Sequence, residues 1–215
     1  DVIQSVMALL EYLGAQVDAG RDGLVAKVAG ASVNGCPVSR GDAVQYAMAL
    51  LVAGNETTRH LLSGSLLALA AEPEQRAALA DEPTLIPNAV EELLRWVTPI
   101  QTFGRTATTE VELGGRTIAE GDWVVLSYAS ANRDESVFGP TADRLDVRRP
   151  IPPSQVAFGF GEHLCLGASL ARLEARVFLE ELLARFPSWE IAGEPEWVRS
   201  TLVRGMRSLP VVFSG

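Results

Sequence analysis

Cysteine is scarce in this sequence: the only two, Cys36 and Cys165, lie far apart in a chain of 215 residues. Two cysteines are too few for the disulfide framework that stabilises many small secreted domains, and their separation does not match the paired spacing of a zinc site. The first residues also lack the basic and then apolar pattern of a secretion signal. We therefore expect a reducing compartment, and the sequence predicts a cytoplasmic protein.

Basic residues and long apolar runs are also lacking. The chain has 18 Lys and Arg against 27 Asp and Glu, which gives a formal net charge of −9 and argues against a nucleic-acid binder. No apolar run reaches the roughly 18 residues of a membrane-spanning helix, because polar residues 55–60 interrupt the richest stretch, 47–71. The chain begins with Asp rather than Met and enters a helical pattern at once, so we interpret it as a fragment.

What is present is the composition of a globular protein, with 47% apolar residues, and a mainly helical periodicity with small antiparallel β-sheets. The predicted helices are about 2–17, 22–28, 41–71, 74–80, 87–97 and 166–186. A β region is predicted at about 103–128, with Gly114-Gly115 as a two-residue hairpin turn, and further strands near the C-terminus. Residues 129–155 are predicted to form an irregular stretch, and a stretch of this length is usually functional.

The densest chemical signal is the glycine-rich loop Phe158-Gly-Phe-Gly-Glu-His-Leu-Cys-Leu-Gly167, which precedes the last predicted helix. Glycines permit close backbone approach, and the free N–H groups at a helix start stabilise a thiolate. A thiolate at Cys165 would be a suitable soft ligand for iron. The alternative is a buried cysteine in a turn, since free cysteine usually packs as a small apolar residue.

This loop resembles the haem-binding loop of cytochrome P-450 monooxygenases, with Phe158, Gly161, Cys165 and Gly167 at the defining positions. Two further segments follow the order of that family: Ala53-Gly-Asn-Glu-Thr-Thr58 in the long helix, and Glu92-Leu-Leu-Arg95 in the next long one. The resemblance is to the bacterial, soluble type. It implies the C-terminal half of a cytochrome P-450 fold, with haem b (iron protoporphyrin IX) held by Cys165 through its iron.

The resemblance assigns roles to residues in the middle of the long helix. Glu56 and Thr57 would deliver protons to dioxygen, while Ala53 and Gly54 would let the helix lie against the porphyrin face. Thr competes for backbone carbonyls within a helix, so we also expect a local opening of the helical ladder there. The alternative is a solvated polar turn on an amphipathic helix.

Five more residues take their roles from the resemblance. Glu92 and Arg95 would form a buried brace completed by an arginine of the irregular stretch, for which Arg144 is the candidate; without the resemblance, their i, i+3 spacing is that of any surface pair. Arg105 and His163 would donate to the haem propionates. The alternatives are a surface charge at a strand edge for Arg105 and a loop imidazole bound to the backbone for His163. His60 is interpreted as structural.

The implied activity is a haem-thiolate monooxygenase that inserts one atom of dioxygen into a small, largely hydrophobic substrate. Residues 49–57, 98–103 and 202–206 would contact that substrate. Electrons would come from a partner such as a ferredoxin with its NAD(P)H-dependent reductase, docked on a patch of Arg148, Arg149, Arg172, Arg176 and Arg185; alternatively, those arginines are a solvated face. The alternative function is a haem-binding or inactive fragment without turnover, because its N-terminal half is missing.

Overall fold

The structure, a computed structural model, describes residues 2–150 and 155–214. It divides into two compact units, Asp1–Glu56 and Thr57–Gly215. The α-helices are α1 (Val2–Ala19), α2 (Leu24–Ala29), α3 (Arg40–Ala71), α4 (Pro73–Asp81), α5 (Ile86–Val97), α6 (Tyr128–Ala131), α7 (Glu135–Phe138) and α8 (Ala168–Arg185). Short 3₁₀ turns cover Pro83–Leu85 and Gly161–His163. No helix in the described ranges is both long and apolar enough to cross a membrane.

Within residues 2–150 and 155–214, the strands form two-stranded antiparallel sheets. They are β1 (Ser32–Val33), β2 (Cys36–Pro37), β3 (Thr102–Thr106), β4 (Val111–Leu113), β5 (Arg116–Ile118), β6 (Trp123–Ser127), β7 (Ser188–Ile191), β8 (Glu196–Trp197), β9 (Met206–Ser208) and β10 (Val211–Ser214). The pairs are β1 with β2, β3 with β6, β4 with β5, β7 with β10, and β8 with β9. The predicted fold class, mainly helical with small antiparallel sheets, is confirmed.

The first unit is held by a small apolar cluster between its helices. Leu13 of α1 packs with Val44 and Ala47 at the start of α3. At the surface, the Arg40 Nε donates to an Asp18 carboxylate oxygen at 2.7 Å, and this hydrogen bond lowers the pKa of Asp18. Between the predicted helices 22–28 and 41–71, where the sequence analysis predicts no strand, the structure forms the β1–β2 hairpin.

The core of the second unit lies between α5 and α8. Leu93 and Leu94 of α5 are buried together with Leu179 of α8 and with Leu61 and Leu69 of α3. Burying side chains of this size stabilises the fold by about 1.5–3 kcal/mol each. The helix α5 ends where Thr98 takes a left-handed conformation at φ 42°, and Pro99 follows. This helix positions the residues of the predicted brace.

The predicted Gly114-Gly115 hairpin turn is confirmed. Both glycines have positive φ, at 58° and 74°, and β4 pairs with β5 on either side of them. Such angles are the reason for two glycines at a two-residue turn, since other residues adopt them only with strain. Residues 151–154 of the predicted irregular stretch lie outside the described residues.

The helix α8 has two apolar faces. Ala175, Leu179 and Leu183 are buried in the core. The residues that the sequence places together on one helical face are Leu166, Leu170, Leu173, Val177 and Phe178. Of these, Phe178 packs against the core, whereas Leu166 lies before the helix begins and is 88% exposed, and Leu170, Leu173 and Val177 are 57%, 55% and 46% exposed. The apolar pattern of α8 therefore includes side chains that the described part of the protein leaves exposed.

Candidate functional site

The loop 158–167 is closed by backbone hydrogen bonds around Cys165. The Cys165 N–H donates to the Phe158 carbonyl at 3.0 Å, and the Cys165 carbonyl accepts from the Ala168 N–H at 3.2 Å. Because Ala168 is the first residue of α8, the cysteine lies directly before a helix N-terminus. Gly159 and Gly161 have φ of 70° and 69°, so the chain path requires glycine at both positions.

The Cys165 thiol lies at the surface, among apolar side chains that are also exposed. Cys165 is exposed, and nearby in the loop Phe160, Leu164 and Leu166 are 65%, 57% and 88% exposed. One exposed soft sulfur ligand in a loop whose apolar side chains are also uncovered fits a flat apolar metal cofactor such as haem, which would bind the sulfur and cover apolar surface. The alternative of a buried structural cysteine does not describe this chain.

Glu92 and Arg95 form a fully buried ion pair on α5. The Arg95 Nε and one terminal nitrogen each donate to a separate Glu92 oxygen at 2.7 Å, and both side chains are 0% exposed. The other terminal nitrogen of Arg95 donates to the carbonyls of Asn132 at 2.7 Å and Ala142 at 2.8 Å. The pair therefore ties α5 to the irregular stretch, as the brace prediction requires.

The prediction that Arg144 completes this brace is wrong. The second guanidinium on Glu92 belongs to Arg149, whose Nε lies 3.3 Å from a Glu92 oxygen. Arg144 is exposed and contributes its backbone carbonyl, which accepts from Arg95 at 2.9 Å and from Arg149 at 3.1 Å. The reason is the course of the chain: the Asp146 N–H donates to Glu92 at 2.9 Å, and the backbone then turns so that residue 149 faces inward.

This geometry also removes Arg149 from the predicted electron-donor patch, since it is 6% exposed. Arg148 is paired with Glu82, Arg176 with Glu180 and Arg185 with Glu181, all at the surface. The last two pairs are spaced i, i+4 along α8. The interpretation of these arginines as a solvated, ion-paired face is therefore the one that the contacts favour.

Sequence reasoning missed Asn132, which joins the brace to Val156, in the segment that leads into the cysteine loop. Its side chain is 0% exposed, donates to the Thr98 hydroxyl at 3.0 Å and accepts from the Val156 N–H at 2.8 Å. Its backbone carbonyl accepts a hydrogen bond from Arg95. An isolated Asn in an irregular stretch gives no sequence signal for such a role, because both of its partners are distant in the chain.

The neighbouring Arg133 is half-buried between α5 and the irregular stretch. It donates to the Trp96 carbonyl at 2.7 Å, and its guanidinium lies 4.7 Å from the Trp96 ring. Burial lowers the pKa of Arg133, and the positive charges of Arg204 and Arg95 lower it further. This side chain therefore stabilises the packing around the brace.

Arg105 and His163 occupy different elements. Arg105 is half-buried on β3, where its guanidinium donates to the Gly104 carbonyl at 2.9 Å. His163 ends the 3₁₀ turn Gly161–His163 and is exposed, two residues before Cys165. Their interaction with propionates stays a prediction.

Glu56 and Thr57, the residues predicted to deliver protons, lie at the boundary between the two units. Glu56 ends the first unit, in which Ala53 and Gly54 are exposed, and Thr57 begins the second. The helix α3 runs without a break from Arg40 to Ala71, so the expected opening of the helical ladder is not observed. A regular α-helix accommodates both Glu and Thr at these positions.

Two of the three predicted substrate segments lie side by side. Ile100 and Val203 form an antiparallel bridge, the Gln101 N–H donates to the Leu202 carbonyl at 2.8 Å, and the Arg204 N–H donates to Pro99 at 2.8 Å. Residues 98–103 and 202–206 thus form one local surface. His60 is buried against this region at Gly205, in agreement with a structural role.

Comparison with known proteins identifies one family. The family model of cytochrome P450 matches residues 11–202. Cytochrome P450 107B1 of Saccharopolyspora erythraea is 40% identical over 97% of this chain and 53% of its own length. Linalool 8-monooxygenase of Pseudomonas putida is 41% identical over 86% of this chain and 45% of its own length.

A solved structure agrees with these sequence matches. CYP108D1 of Novosphingobium aromaticivorans superposes with a TM-score of 0.89 at 41% identity, over 98% of this chain and 52% of that protein. The chain spans about half the length of the relatives that it matches. It belongs to the cytochrome P450 family.

Proposed function

We propose that this chain is the cysteine-bearing half of a haem-thiolate monooxygenase, with Cys165 as the iron ligand. The observation that carries the proposal is the exposed Cys165 directly before α8, with Phe160, Leu164 and Leu166 uncovered nearby. Haem, when bound, would supply the oxygen chemistry, because electron donation from a thiolate favours cleavage of the O–O bond. With two electrons from a redox partner and two protons, one oxygen atom would enter the substrate and the other would leave as water.

The chain's own residues bind and orient the cofactor in this proposal. The helix dipole of α8 and the nearby N–H groups stabilise the Cys165 thiolate. Arg105 and His163 donate hydrogen bonds to the propionates. Phe158, Gly161 and Gly167 shape the loop, and the small residues Ala53 and Gly54 leave room for the porphyrin face.

Glu56 and Thr57 would handle the protons that the reduction of dioxygen consumes. A hydroxyl can both accept and donate a hydrogen bond, and a carboxyl can take up and release a proton. The adjacency of these two groups in α3 supports the assignment.

The substrate is proposed to be a small, largely hydrophobic organic molecule. The surface formed by residues 98–103 and 202–206 offers Ile100, Phe103, Leu202 and Val203. The names of two relatives, linalool 8-monooxygenase and the steroid C26-monooxygenase of Mycolicibacterium smegmatis, support a hydrophobic class.

The electron donor is proposed to be a small redox protein such as a ferredoxin served by an NAD(P)H-dependent reductase. The cations on the α8 side of the cysteine loop are mostly neutralised by ion pairs, so strong electrostatic steering at this surface is not expected. The docking contact would then depend on shape and apolar area as well as on charge.

A second candidate function is haem binding without turnover. It is favoured by the apolar residues of α8 that stay exposed in the described part of the chain. The chain alone would then bind haem but give no product.

Oxygen coupling tests the proposal and separates it from the second candidate. In the haem-loaded protein supplied with electrons and substrate, Thr57→Ala should raise peroxide release relative to product, because proton delivery is impaired. Thr58→Ala, one position along the same helix, is the matched control and should leave the ratio unchanged. Equal effects of the two substitutions would remove Thr57 from its proposed role, and the absence of product from the unaltered chain would favour haem binding alone.

A further inference from the structure

An ion pair joins α8 to α5 beside the cysteine loop. The Arg172 Nε donates to one Glu91 oxygen at 2.5 Å, and a terminal nitrogen of the same guanidinium donates to the other at 3.1 Å. Both side chains are partly covered, at 40% and 26% exposure. This bidentate geometry fixes the plane of the Arg172 guanidinium.

The same guanidinium lies against the first residue of the cysteine loop. Its central carbon is 4.6 Å from the centroid of the Phe158 ring, within the range of a cation–π contact. The Phe158 carbonyl in turn accepts the Cys165 N–H at 3.0 Å. A short series of contacts therefore leads from Glu91 through Arg172 and Phe158 to the backbone of the cysteine.

Glu91 holds the entrance of the loop through a second contact. The Gln155 amide donates to a Glu91 oxygen at 3.2 Å, and its carbonyl oxygen accepts from the Ala157 N–H at 2.9 Å. Residues 155–158 are therefore attached to α5 and α8 by side chains rather than by a sheet or helix ladder.

The cysteine loop is only weakly held by packing against the rest of the described structure. Residues 160–167 are exposed, and the two glycines with positive φ add backbone freedom in the unfolded chain. An ion pair that is partly open to solvent, like that of Arg172 with Glu91, contributes little to global stability. Its effect is expected to be local, on the loop whose first residue it holds.

We propose that Glu91 and Arg172 are positioning residues that fix Phe158 and thereby hold the Cys165 backbone in its ligating conformation before haem binds. The inference rests on the proposed function for its purpose, since a preformed ligand loop reduces the ordering cost of cofactor binding. The geometric part can be measured in the chain without haem. Neither residue contacts the thiol, so their action is through Phe158.

Hydrogen exchange at the Cys165 amide in the haem-free chain tests the geometric part. Arg172→Met keeps a long side chain but removes the charge, and we expect exchange at Cys165 at least tenfold faster, with the buried Leu179 amide of α8 unchanged. Arg176→Met is the matched control, because Arg176 pairs with Glu180 on the same helix. It should leave Cys165 unchanged.

Two further variants keep the test decisive. Arg172→Lys retains a cation near the ring and should give a smaller increase than Arg172→Met. Glu91→Gln, which removes the anchor while keeping Arg172, should also increase exchange at Cys165. Unchanged exchange at Cys165 in both Arg172→Met and Glu91→Gln, or an equal increase along all of α8, would overturn the inference.

Haem loading then separates this inference from the proposed function. With haem present, Arg172→Met should give a smaller fraction of the thiolate-type spectrum of the reduced carbon monoxide complex than Arg176→Met. If the unaltered chain gives no such spectrum, the proposed function fails, while the exchange result still decides whether Glu91 and Arg172 position the loop.

Discussion

The Nε of Arg149 lies 3.3 Å from the Glu92 carboxylate, which also accepts both donors of the Arg95 fork. Glu92 therefore compensates two guanidinium groups in a site where all three side chains are almost completely buried. Removing one member of such a cluster leaves an uncompensated charge in the interior. The brace is thus a sensitive point of the fold.

Glu92→Gln should lower the free energy of unfolding by about 3–5 kcal/mol, the cost of breaking a buried ion pair. The amide keeps the shape of the carboxylate but leaves the two arginines without their counter-charge. Urea unfolding followed by circular dichroism measures the change. Glu180→Gln removes the partner of an exposed pair and should change the free energy by less than about 1 kcal/mol; comparable losses for the two variants would contradict the brace.

The assignment of Arg149 in place of Arg144 can be tested with a matched pair of substitutions. Arg149→Met should destabilise the protein by roughly 3 kcal/mol, because it strips a hydrogen-bonded charge from Glu92. Arg144→Met should have an effect within about 0.5 kcal/mol, since that residue supplies its backbone carbonyl and its side chain is exposed. The same unfolding measurement applies, and the reverse order of the two effects would refute the assignment.

These residues show which members of the brace could be predicted from the sequence. The i, i+3 spacing of Glu92 and Arg95 can be recognised because a helix places both on one face. Arg149 could not be chosen over Arg144 in advance, because the choice depends on how an irregular backbone turns after Asp146. Asn132 was missed for the same reason: its side-chain partners, Thr98 and Val156, are brought together only by the folded chain.

The helices were easier to predict than what covers them. Periodicity placed the long helix at 41–71 and the structure has it at Arg40–Ala71. The same periodicity grouped Leu170, Leu173 and Val177 of α8 on one face, which is exposed in this structure. An apolar pattern indicates burial without indicating the partner. The loop around Cys165 could be located from the sequence because its glycine, aromatic and cysteine positions are all local, and its role as a haem ligand stays a prediction.

Two glycine substitutions should have opposite effects on stability. At Gly205 an added Cβ would lie 2.1 Å from the buried His60 ring, so Gly205→Ala should cost about 1–3 kcal/mol of overpacking. Gly54 lies in α3 with nothing within 4 Å of such a Cβ, so Gly54→Ala should stabilise the helix by up to about 1 kcal/mol.

Haem titration of the Gly54 variant adds a functional test. If the porphyrin approaches Gly54, the more stable Gly54→Ala protein should bind haem more weakly than the unaltered chain. Gly41→Ala, near the start of the same helix, is the control and should bind haem normally. Equal affinities in all three proteins would place Gly54 away from the cofactor.

The spectrum of the reduced, haem-loaded chain with carbon monoxide tests the central claim most directly. Thiolate ligation by Cys165 predicts a strongly red-shifted Soret band that Cys165→Ala abolishes and that Cys36→Ala, which removes the other exposed thiol, leaves intact. A Soret band like that of histidine-ligated haem, or a red-shifted band that survives Cys165→Ala, would contradict the account.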